Sequence, residues 1–440
     1  MPIEICAVGG YEEVGKNMTA VRVDDDVIIL DMGIHLPNWI KYTEQEDIMV
    51  KGRKELRAVK AIPNDKVIDD WKDKVRAIIP THAHLDHIGA IPFLADRYDA
   101  PVLATPYTVA VLTAILKDEK IKLKNSIKTL SPNSVYQITD KIRVQLINIT
   151  HSTPQTSVIA VHTPYGAMVY ANDFKLDNNP QIGRKPNYEA LKKLGKSDVK
   201  AAVIDSLYAH DDRKTPSELV AKEMLRDVML GTNSQGKAVI VTTFSSHLAR
   251  LKSIVEFAKK MNRKIAFLGR SLAKYVDAGE KTGIIKFSKE VKIAKFAKQQ
   301  KRMLKTIMKE GKDKYVIVVT GHQGEPQSTL SKMVNGIYPF RFDSEDHVVF
   351  SCAIIPNNIN IQNRKELEKQ LHRYGVRIFK DIHVSGHAGR EDLRDFVNMI
   401  DPEIIVPAHA EMEDTKAMTG LAKEMGRRWK ILQNGQRLKL

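Results

Sequence analysis

The sequence predicts a layered α/β protein into which a second α/β segment is inserted, and three observations carry that expectation. In the first two hundred residues, short aliphatic runs that end on a polar residue alternate with helical patterns, and strands alternating with helices pack as layers. From about residue 215 the runs turn almost wholly apolar, in "KAVIVTTF", "RKIAFLG" and "YVIVVTG", as do strands covered on both faces of a parallel sheet. From about residue 376 the earlier style returns in "VRIFKDIHVSGHAG" and "EIIVPAHAE". The expected division is therefore 1–208, an insertion over 209–372, and a return to the first domain over 373–440.

Taken in order, "DDVIILDMG" at 25–33, "VRAIIPT" at 75–81, "IRVQLINIT" at 142–150, "GAMVYAND" at 166–173 and "KAAVIDS" at 200–206 each predict a strand. "TPYTVAVLTAILKDEK" at 105–120 opens on a Thr-Pro helix start, and "IGAIPFLADRY" at 88–98 predicts a further helix. Residues 35–75 break the rhythm: polar, with Trp39 and Trp71, they predict an insertion. Residues 286–314 hold eleven Lys/Arg against three Asp/Glu and predict a helix over much of their length. Helical spacing puts Lys298, Arg302, Lys305, Lys309 and Lys312 on one face, which either meets a polyanion or is simply solvated.

At 440 residues the chain has room for two or three compact domains. Its 43% hydrophobic and 28% charged residues are ordinary for a globular protein. The net charge of +16 points to a polyanionic partner, with a lysine-rich surface as the alternative. No apolar run approaches a membrane span. The start "MPIEICAVGG" lacks the basic and apolar regions of a signal peptide. Cys6 and Cys352, far apart, predict free thiols in a reducing compartment, hence a cytoplasmic protein.

"IIPTHAHLDHIGAIPF" at 78–93 crowds His82, His84, Asp86 and His87 onto a loop that follows a predicted strand. Loops at the carboxyl ends of strands are where α/β proteins hold ligands. His82 and His84, two apart, can grip one ion; Asp86 and His87 suit a second ion about 3.5–4 Å away. Imidazole mixed with carboxylate favours zinc or manganese over calcium. Other strand ends supply the rest: His151 as third ligand of the first ion, Asp173 as a bridge, and His409 for the second ion. Asp31, ending "IILD", is placed to orient a ligand imidazole.

The run HxHxDH, then His151, Asp173 and a C-terminal His409, resembles the metallo-β-lactamase superfamily, and the intervening segment is similar to its β-CASP nuclease branch. The resemblance implies an αββα sandwich with an inserted parallel α/β β-CASP domain. It also implies a carboxylate ending a strand before the insertion, as Asp205 does, and a histidine after it, as His387 supplies. "VGGYEEVGKN", "TTFSSH", "TGHQGEPQSTLSKMVNG" and "HVSGHAGREDL" resemble the ribonuclease J family. That family acts as a 5′-to-3′ exoribonuclease able to cut internally, with preference for a 5′-monophosphate. "IIPNNIN" at 354–360 departs from the more glycine-rich bacterial pattern. Only 31 residues follow His409, so the further assembly domain of bacterial members is expected to be absent, as in a compact archaeal form.

The mechanism so implied uses two Zn2+ per chain, with Mn2+ or Mg2+ able to serve, to lower the pKa of a shared water that attacks phosphorus in line. The catalytic set expected is His387, Asp205 and Asp86: His387 protonates the leaving 3′-oxygen while Asp205 fixes its tautomer. His383, Ser385 and Gly386, at a Gly turn before a helix start, are expected to bind the RNA 5′-phosphate, joined by Ser246 and Arg270. Gly324 and Glu325 are expected to shape a turn. The partner is single-stranded RNA; a homodimer and a larger RNA-decay complex are left open. An endoribonuclease of the 3′-end-processing, cleavage-and-polyadenylation-factor-like type shares every metal ligand and is the nearest rival. A small-molecule hydrolase needs neither the insertion nor the basic charge, and a non-catalytic scaffold would not keep all seven ligands.

Overall fold

The computed structural model describes residues 3–43, 52–355 and 358–440, and the chain divides into two compact units. One gathers Met1–Asn178, Arg184–Thr215 and Gly386–Leu440; the other gathers Asn179–Gly183 and Pro216–Ser385. These seams lie beyond residues 208 and 372 for a local reason. The Thr215 hydroxyl donates to His387 O at 2.7 Å and accepts from Gly389 N at 2.8 Å, which ties both passages of the chain to the first unit.

The first unit is built on two seven-stranded sheets. In one, Arg437–Lys439, Ile3–Gly9, Met18–Val23 and Asp26–Leu30 pair antiparallel, and Val75–Ile79, Val102–Ala104 and Ile127–Thr129 continue in parallel. In the other, Val135–Gln137, Arg143–Asn148, Ser157–Thr163 and Gly166–Ala171 run antiparallel, then Val199–Asp205, Ile404–Ala408 and Arg428–Trp429 join in parallel. Successive side chains point to opposite faces of a strand, and that period sets the layers. Val203 and Met168 pack with Ile5, Val21 and Ile28 between the sheets. Their neighbours Ala202, Ile204 and Val169 turn outward onto Phe396, Val397 and Leu421 of helices Arg390–Ile400 and Met412–Glu424.

The second unit holds a six-stranded, wholly parallel sheet in the order Val291–Ala294, Lys264–Leu268, Tyr315–Val319, Val239–Thr242, His347–Phe350, Arg377–Phe379. Tyr315–Val319 and Val239–Thr242 are buried at every position, which is why their sequences are unbroken apolar runs.

Local geometry revises several expectations. Residues 88–98 hold one short helical turn, Ile91–Leu94, and a 3-10 turn, Ala95–Arg97, after the turn Leu85–Ile88, rather than one helix; Pro92 has no N–H to continue a helix and sits in the first turn of Ile91–Leu94 instead. The basic stretch splits into strand Val291–Ala294 and helix Ala297–Glu310, which ends at Gly311 with φ +105°. Lys312 therefore leaves the basic face: it is buried, its ammonium 2.9 Å from Asp343 and from Arg341 O. No strand lies within 383–389; the helix starts at Arg390. Within 35–75 the chain forms helices Leu36–Thr43 and Arg53–Ala58 and a 3-10 run, Asp65–Lys74, that buries Trp71 beneath Arg437. Residues 44–51 of that segment, and 356–357 of "IIPNNIN", lie outside the described residues. Among the described residues, no helix is long and apolar enough to cross a membrane. Cys6 and Cys352 are free and buried.

Candidate metal centre

Asp31, His82, His151, Asp173 and His409 all follow strands of the first unit within three residues. Three of them leave their strand through the left-handed region: Asp31 at φ 60°, Asp173 at 58° and His409 at 55°. A non-glycine residue pays roughly 1–2 kcal/mol there, and such strain gathers where geometry serves function. The loop 81–87 is sewn to two other segments by backbone hydrogen bonds: Asn17 N to Asp86 O (3.0 Å), Gly33 N to Asn17 O (2.9 Å), Met32 N to His87 O (2.8 Å) and Ile34 N to Leu85 O (3.1 Å). A Cβ at Gly33 would lie 1.5 Å from Asp86 O, so only glycine fits this close approach.

His82, His84, His151 and Asp173 form one group whose ligand atoms lie within 4.8 Å of one another. His84 Nδ1 is 3.0 Å from His82 Nε2 and 3.1 Å from His151 Nε2. The outer nitrogens are already committed: His151 Nδ1 donates to Gly386 O at 2.7 Å, and His82 Nδ1 to Thr81 Oγ1 at 3.0 Å. Thr81 in turn donates to Asp31 at 3.0 Å. The inner nitrogens of His82 and His151 therefore present lone pairs toward His84, so that three imidazole nitrogens converge on one point, as the ligands of a cation do. The spacing is near the edge of a tetrahedron of Zn–N bonds, roughly 3.3 Å. Burial holds His82 and His151 well below the ordinary imidazole value and His84 down to about 4, so these rings are neutral and able to ligate.

Asp86, His87, Asp173 and His409 form the second group. His87 Nδ1 donates to Asp31 Oδ2 at 2.7 Å, which turns Nε2 toward Asp173 Oδ2 at 3.2 Å and Asp86 Oδ2 at 3.7 Å. The same Asp173 oxygen is 3.5 Å from His82 Nε2 and 3.6 Å from His151 Nε2, so it touches both groups. Its other oxygen is buried, has no hydrogen-bond partner among the described residues, and lies 3.5 Å from His409 Nδ1. Burial alone would lower His87, but Asp173, Asp31 and Asp86 raise it well above the imidazole value. Burial likewise opposes ionisation of Asp173, yet His409 and His87 pull it well below the carboxylate range. Both shifts have one cause: this cluster of carboxylates demands positive charge, and its donor set fits a divalent cation.

His387 Nδ1 donates to Asp205 Oδ2 at 2.8 Å, and the His387 ring stacks on His409 with centroids 5.5 Å apart. Burial lowers its pKa, but Asp205 and then Asp173 raise it further, to about 9.

The residues expected at the RNA 5′-phosphate are spread over both units. Ser246 follows strand Val239–Thr242, Arg270 opens helix Arg270–Lys281, and His383 and Ser385 follow Arg377–Phe379, all in the second unit. Gly386 belongs to the first unit, and its carbonyl holds His151. The helix-start amides are otherwise engaged, Gly389 N by Thr215 Oγ1 and Arg390 N by Asp211 O, both at 2.8 Å, so they make no open anion cradle. Gly324, at φ +78°, has space for no Cβ beside Asn363, and Glu325 accepts from Gln323 N at 3.0 Å, as a turn requires.

Sequence reasoning missed Asn17. It is fully buried; its Nδ2 donates to Asp86 O at 3.1 Å and lies 3.1 Å from His87 Nε2. Its Oδ1 accepts from Asn172 Nδ2 at 3.3 Å, which fixes the amide's orientation. Both amide atoms lie against His409 Nδ1, Nδ2 at 2.8 Å and Oδ1 at 3.1 Å. The amide can therefore hold that ring nitrogen in either tautomer, Oδ1 accepting from it or Nδ2 donating to it, while His409 Nε2 faces Asp86 Oδ2 at 4.0 Å. The one signal was its place at the end of "VGGYEEVGKN".

Comparison with known proteins adds three family matches: "Metallo-beta-lactamase superfamily" over residues 11–226, "Ribonuclease J, beta-CASP domain" over 235–366, and "Zn-dependent metallo-hydrolase RNA specificity domain" over 374–432. The chain is 44% identical to a ribonuclease J of Methanocaldococcus jannaschii, over 99% of this chain and 98% of that protein. It is 42% identical to a ribonuclease J of Pyrococcus abyssi, over 96% and 93%. Ribonuclease J 1 of Streptococcus pyogenes is 30% identical, over 96% of this chain and 71% of the longer bacterial protein. A crystal structure of a protein of unknown function from Enterococcus faecalis V583 superposes with a TM-score of 0.70 over the whole of both chains at 16% identity, a likeness of fold.

Proposed function

This chain belongs to the ribonuclease J family of β-CASP metallo-β-lactamases, and from that premise we propose that it degrades single-stranded RNA from the 5′ end with preference for a 5′-monophosphate. It is a ribonuclease with a metallo-β-lactamase fold and a β-CASP domain, hydrolysing RNA in a metal-dependent way. On this reading one Zn2+ would be held by His82, His84 and His151 and a second by Asp86, His87 and His409, with Asp173 belonging to both groups; Mn2+ or Mg2+ would serve in the same places. What supports it most is the convergence of His84 Nδ1 with His82 Nε2 and His151 Nε2 at 3.0 and 3.1 Å, beside an Asp173 oxygen that has no hydrogen-bond partner among the described residues.

When bound, a pair of divalent cations supplies an acidified water and stabilises charge on the phosphoryl oxygens. The chain supplies the rest. Asp31 and Gly386 O hold ligand rings in one tautomer and Asn17 holds the His409 ring in place, as orienting partners do. Asp86 stands beside the attacking side. His387, its Nδ1–H fixed on Asp205, carries its other N–H to the leaving 3′-oxygen as general acid. Water oxygen joins phosphorus as the P–O3′ bond breaks, so the released nucleotide ends in a 3′-hydroxyl and the shortened RNA begins with a new 5′-phosphate. In the second unit Arg270, Ser246, His383 and Ser385 receive the terminal phosphate.

The test is a time course on 5′-labelled and 3′-labelled RNA bearing 5′-monophosphate or 5′-hydroxyl ends. Mononucleotide should leave the 5′ label from the first points, faster from the monophosphate, and Arg270→Ala should erase that preference. Internal fragments appearing first, indifferent to the 5′ end, would instead make the chain an endonuclease of the 3′-end-processing type. A cytoplasmic enzyme working as a homodimer or within an RNA-decay complex belongs to the same reading, and sedimentation of the purified chain decides the first.

A further inference from the structure

Helix Ala297–Glu310 of the second unit carries five exposed cations, Lys298, Lys301, Arg302, Lys305 and Lys309. At 3.6 residues per turn these fall within an arc of about 100°, opposite the buried Gln300, Leu304 and Ile307. Among the described residues, none of the five pairs with a carboxylate. The lysines around them behave otherwise: Lys259 meets Glu290 at 2.7 Å, Lys260 meets Glu256 at 3.0 Å, and Lys281 meets Asp277 at 2.7 Å. The helix's one acid, Glu310, is taken by Lys264 and by the Tyr315 hydroxyl, each at 2.6 Å. A solvated face normally mixes signs at i, i+4; this face has been left wholly positive.

A second observation lies at the head of the same helix. Phe296, its N-cap residue, is 55% exposed, with the Lys295 ammonium 5.3 Å from the ring centroid. Just inside, Gln300 accepts from Thr329, which accepts from Thr320, both at 3.1 Å. The helix head is thereby tied to the loop that follows strand Tyr315–Val319, on the edge of the sheet where parallel α/β folds bind ligands. Exposed aromatic rings beside a positive track are what sequence-tolerant single-strand binders use, bases stacking while cations follow the backbone.

We infer that this helix is an RNA-binding surface of its own, distinct from the hydrolytic centre: Phe296 stacks on a base and the five cations hold successive phosphates of a single strand. The inference rests on the RNA-hydrolysing function above and adds where a long substrate is held. From Lys298 to Lys309 the helix rises about 16 Å, room for about five phosphates at the axial spacing of a stacked strand.

The test compares the wild-type holoenzyme with Lys298→Gln/Arg302→Gln/Lys305→Gln/Lys309→Gln and with Phe296→Ala, on a 20-nucleotide and a 4-nucleotide RNA. Lys301, which leans on Tyr338 at 5.6 Å, is kept. The quadruple variant should lose about tenfold or more in kcat/KM on the 20-mer through KM. Its salt dependence should flatten by about 2.8 in log–log slope, four contacts at about 0.7 each. Phe296→Ala should lose about tenfold with the slope unchanged. Hydrolysis of the 4-mer should be unaltered in both, which also reports correct folding. Values within twofold of wild type on the 20-mer, for both variants, overturn the inference. If the wild-type enzyme cleaves neither RNA, the functional reading fails instead, and anisotropy of the 20-mer on the same three proteins still decides whether the helix binds it.

Discussion

Asn17→Ala separates the two ligand groups. The side chain is fully buried, and its loss strips a partner from Asp86 O, from Asn172 Nδ2 and from His409 Nδ1 at once. Asp86 O keeps the Asn17 backbone N–H at 3.0 Å and Asn172 Nδ2 keeps the Tyr170 hydroxyl at 2.9 Å, so the main loss is at His409 Nδ1, where a buried group without its partner costs about 1–3 kcal/mol and a water in the vacated space recovers part of that. The net loss should sit near 1.4–2.7 kcal/mol, the tenfold to hundredfold in metal affinity that follows removal of an orienting partner. It should fall on one ion only. His82 is held by Thr81 and His151 by Gly386 O, neither of which touches Asn17. The assay is zinc per chain after dialysis against graded chelator: the wild type should hold two ions over a range where Asn17→Ala holds one. Asn17→Asp keeps the acceptor for His409 and should recover most of the second ion. Equal retention by wild type and Asn17→Ala, or parallel loss of both ions, would refute the assignment of Asn17 to the His409 group.

Three further outcomes are expected. Gly386→Ala mirrors the first experiment, because a Cβ there would meet His151 Nδ1 at 2.9 Å; the His82 group should lose about tenfold to a hundredfold in zinc affinity with the other retained, and an unchanged zinc isotherm would count against it. His387→Ala should lower turnover on RNA by about 10²–10⁴-fold with two zinc ions still bound; loss of zinc would make His387 a ligand rather than an acid. For Asp205→Asn the sign follows from the His387 pKa of about 9, lowered by burial but raised more by Asp205 and Asp173. The acid form is present below that value and lost above it, so removing the Asp205 charge should move the alkaline limb of kcat to lower pH. An alkaline limb that stays in place sinks the pairing.

The clustering of the candidate ligands was legible because a parallel sheet gathers strand ends before any side chain is placed. Asp205 pairs in register with Ala408, one residue before His409, and Ile204 pairs with Ala171, two before Asp173. A polar residue closing each of those aliphatic runs is therefore near the others as soon as the strands are adjacent. What holds the ligands was not legible, since its partners are remote and partly backbone. Asn17 meets His409 across 392 positions, and Gly386 meets His151 across 235 through a carbonyl that every residue possesses. Periodicity failed in the same way at Lys312, where Gly311 turns the chain and a lysine in helical register is buried on Asp343 instead.

The hidden partners also make the two halves of the centre chemically unequal. His82 and His151 lean on a hydroxyl and a carbonyl, both neutral, and His84 brings a third nitrogen. His87 leans on the Asp31 carboxylate, with Asp86 as a further acidic neighbour. Nitrogen-rich sets hold zinc firmly, while carboxylate-rich sets also accept manganese or magnesium. The first group should thus be the zinc-selective one, and any exchange of metal should begin at Asp86, His87 and His409.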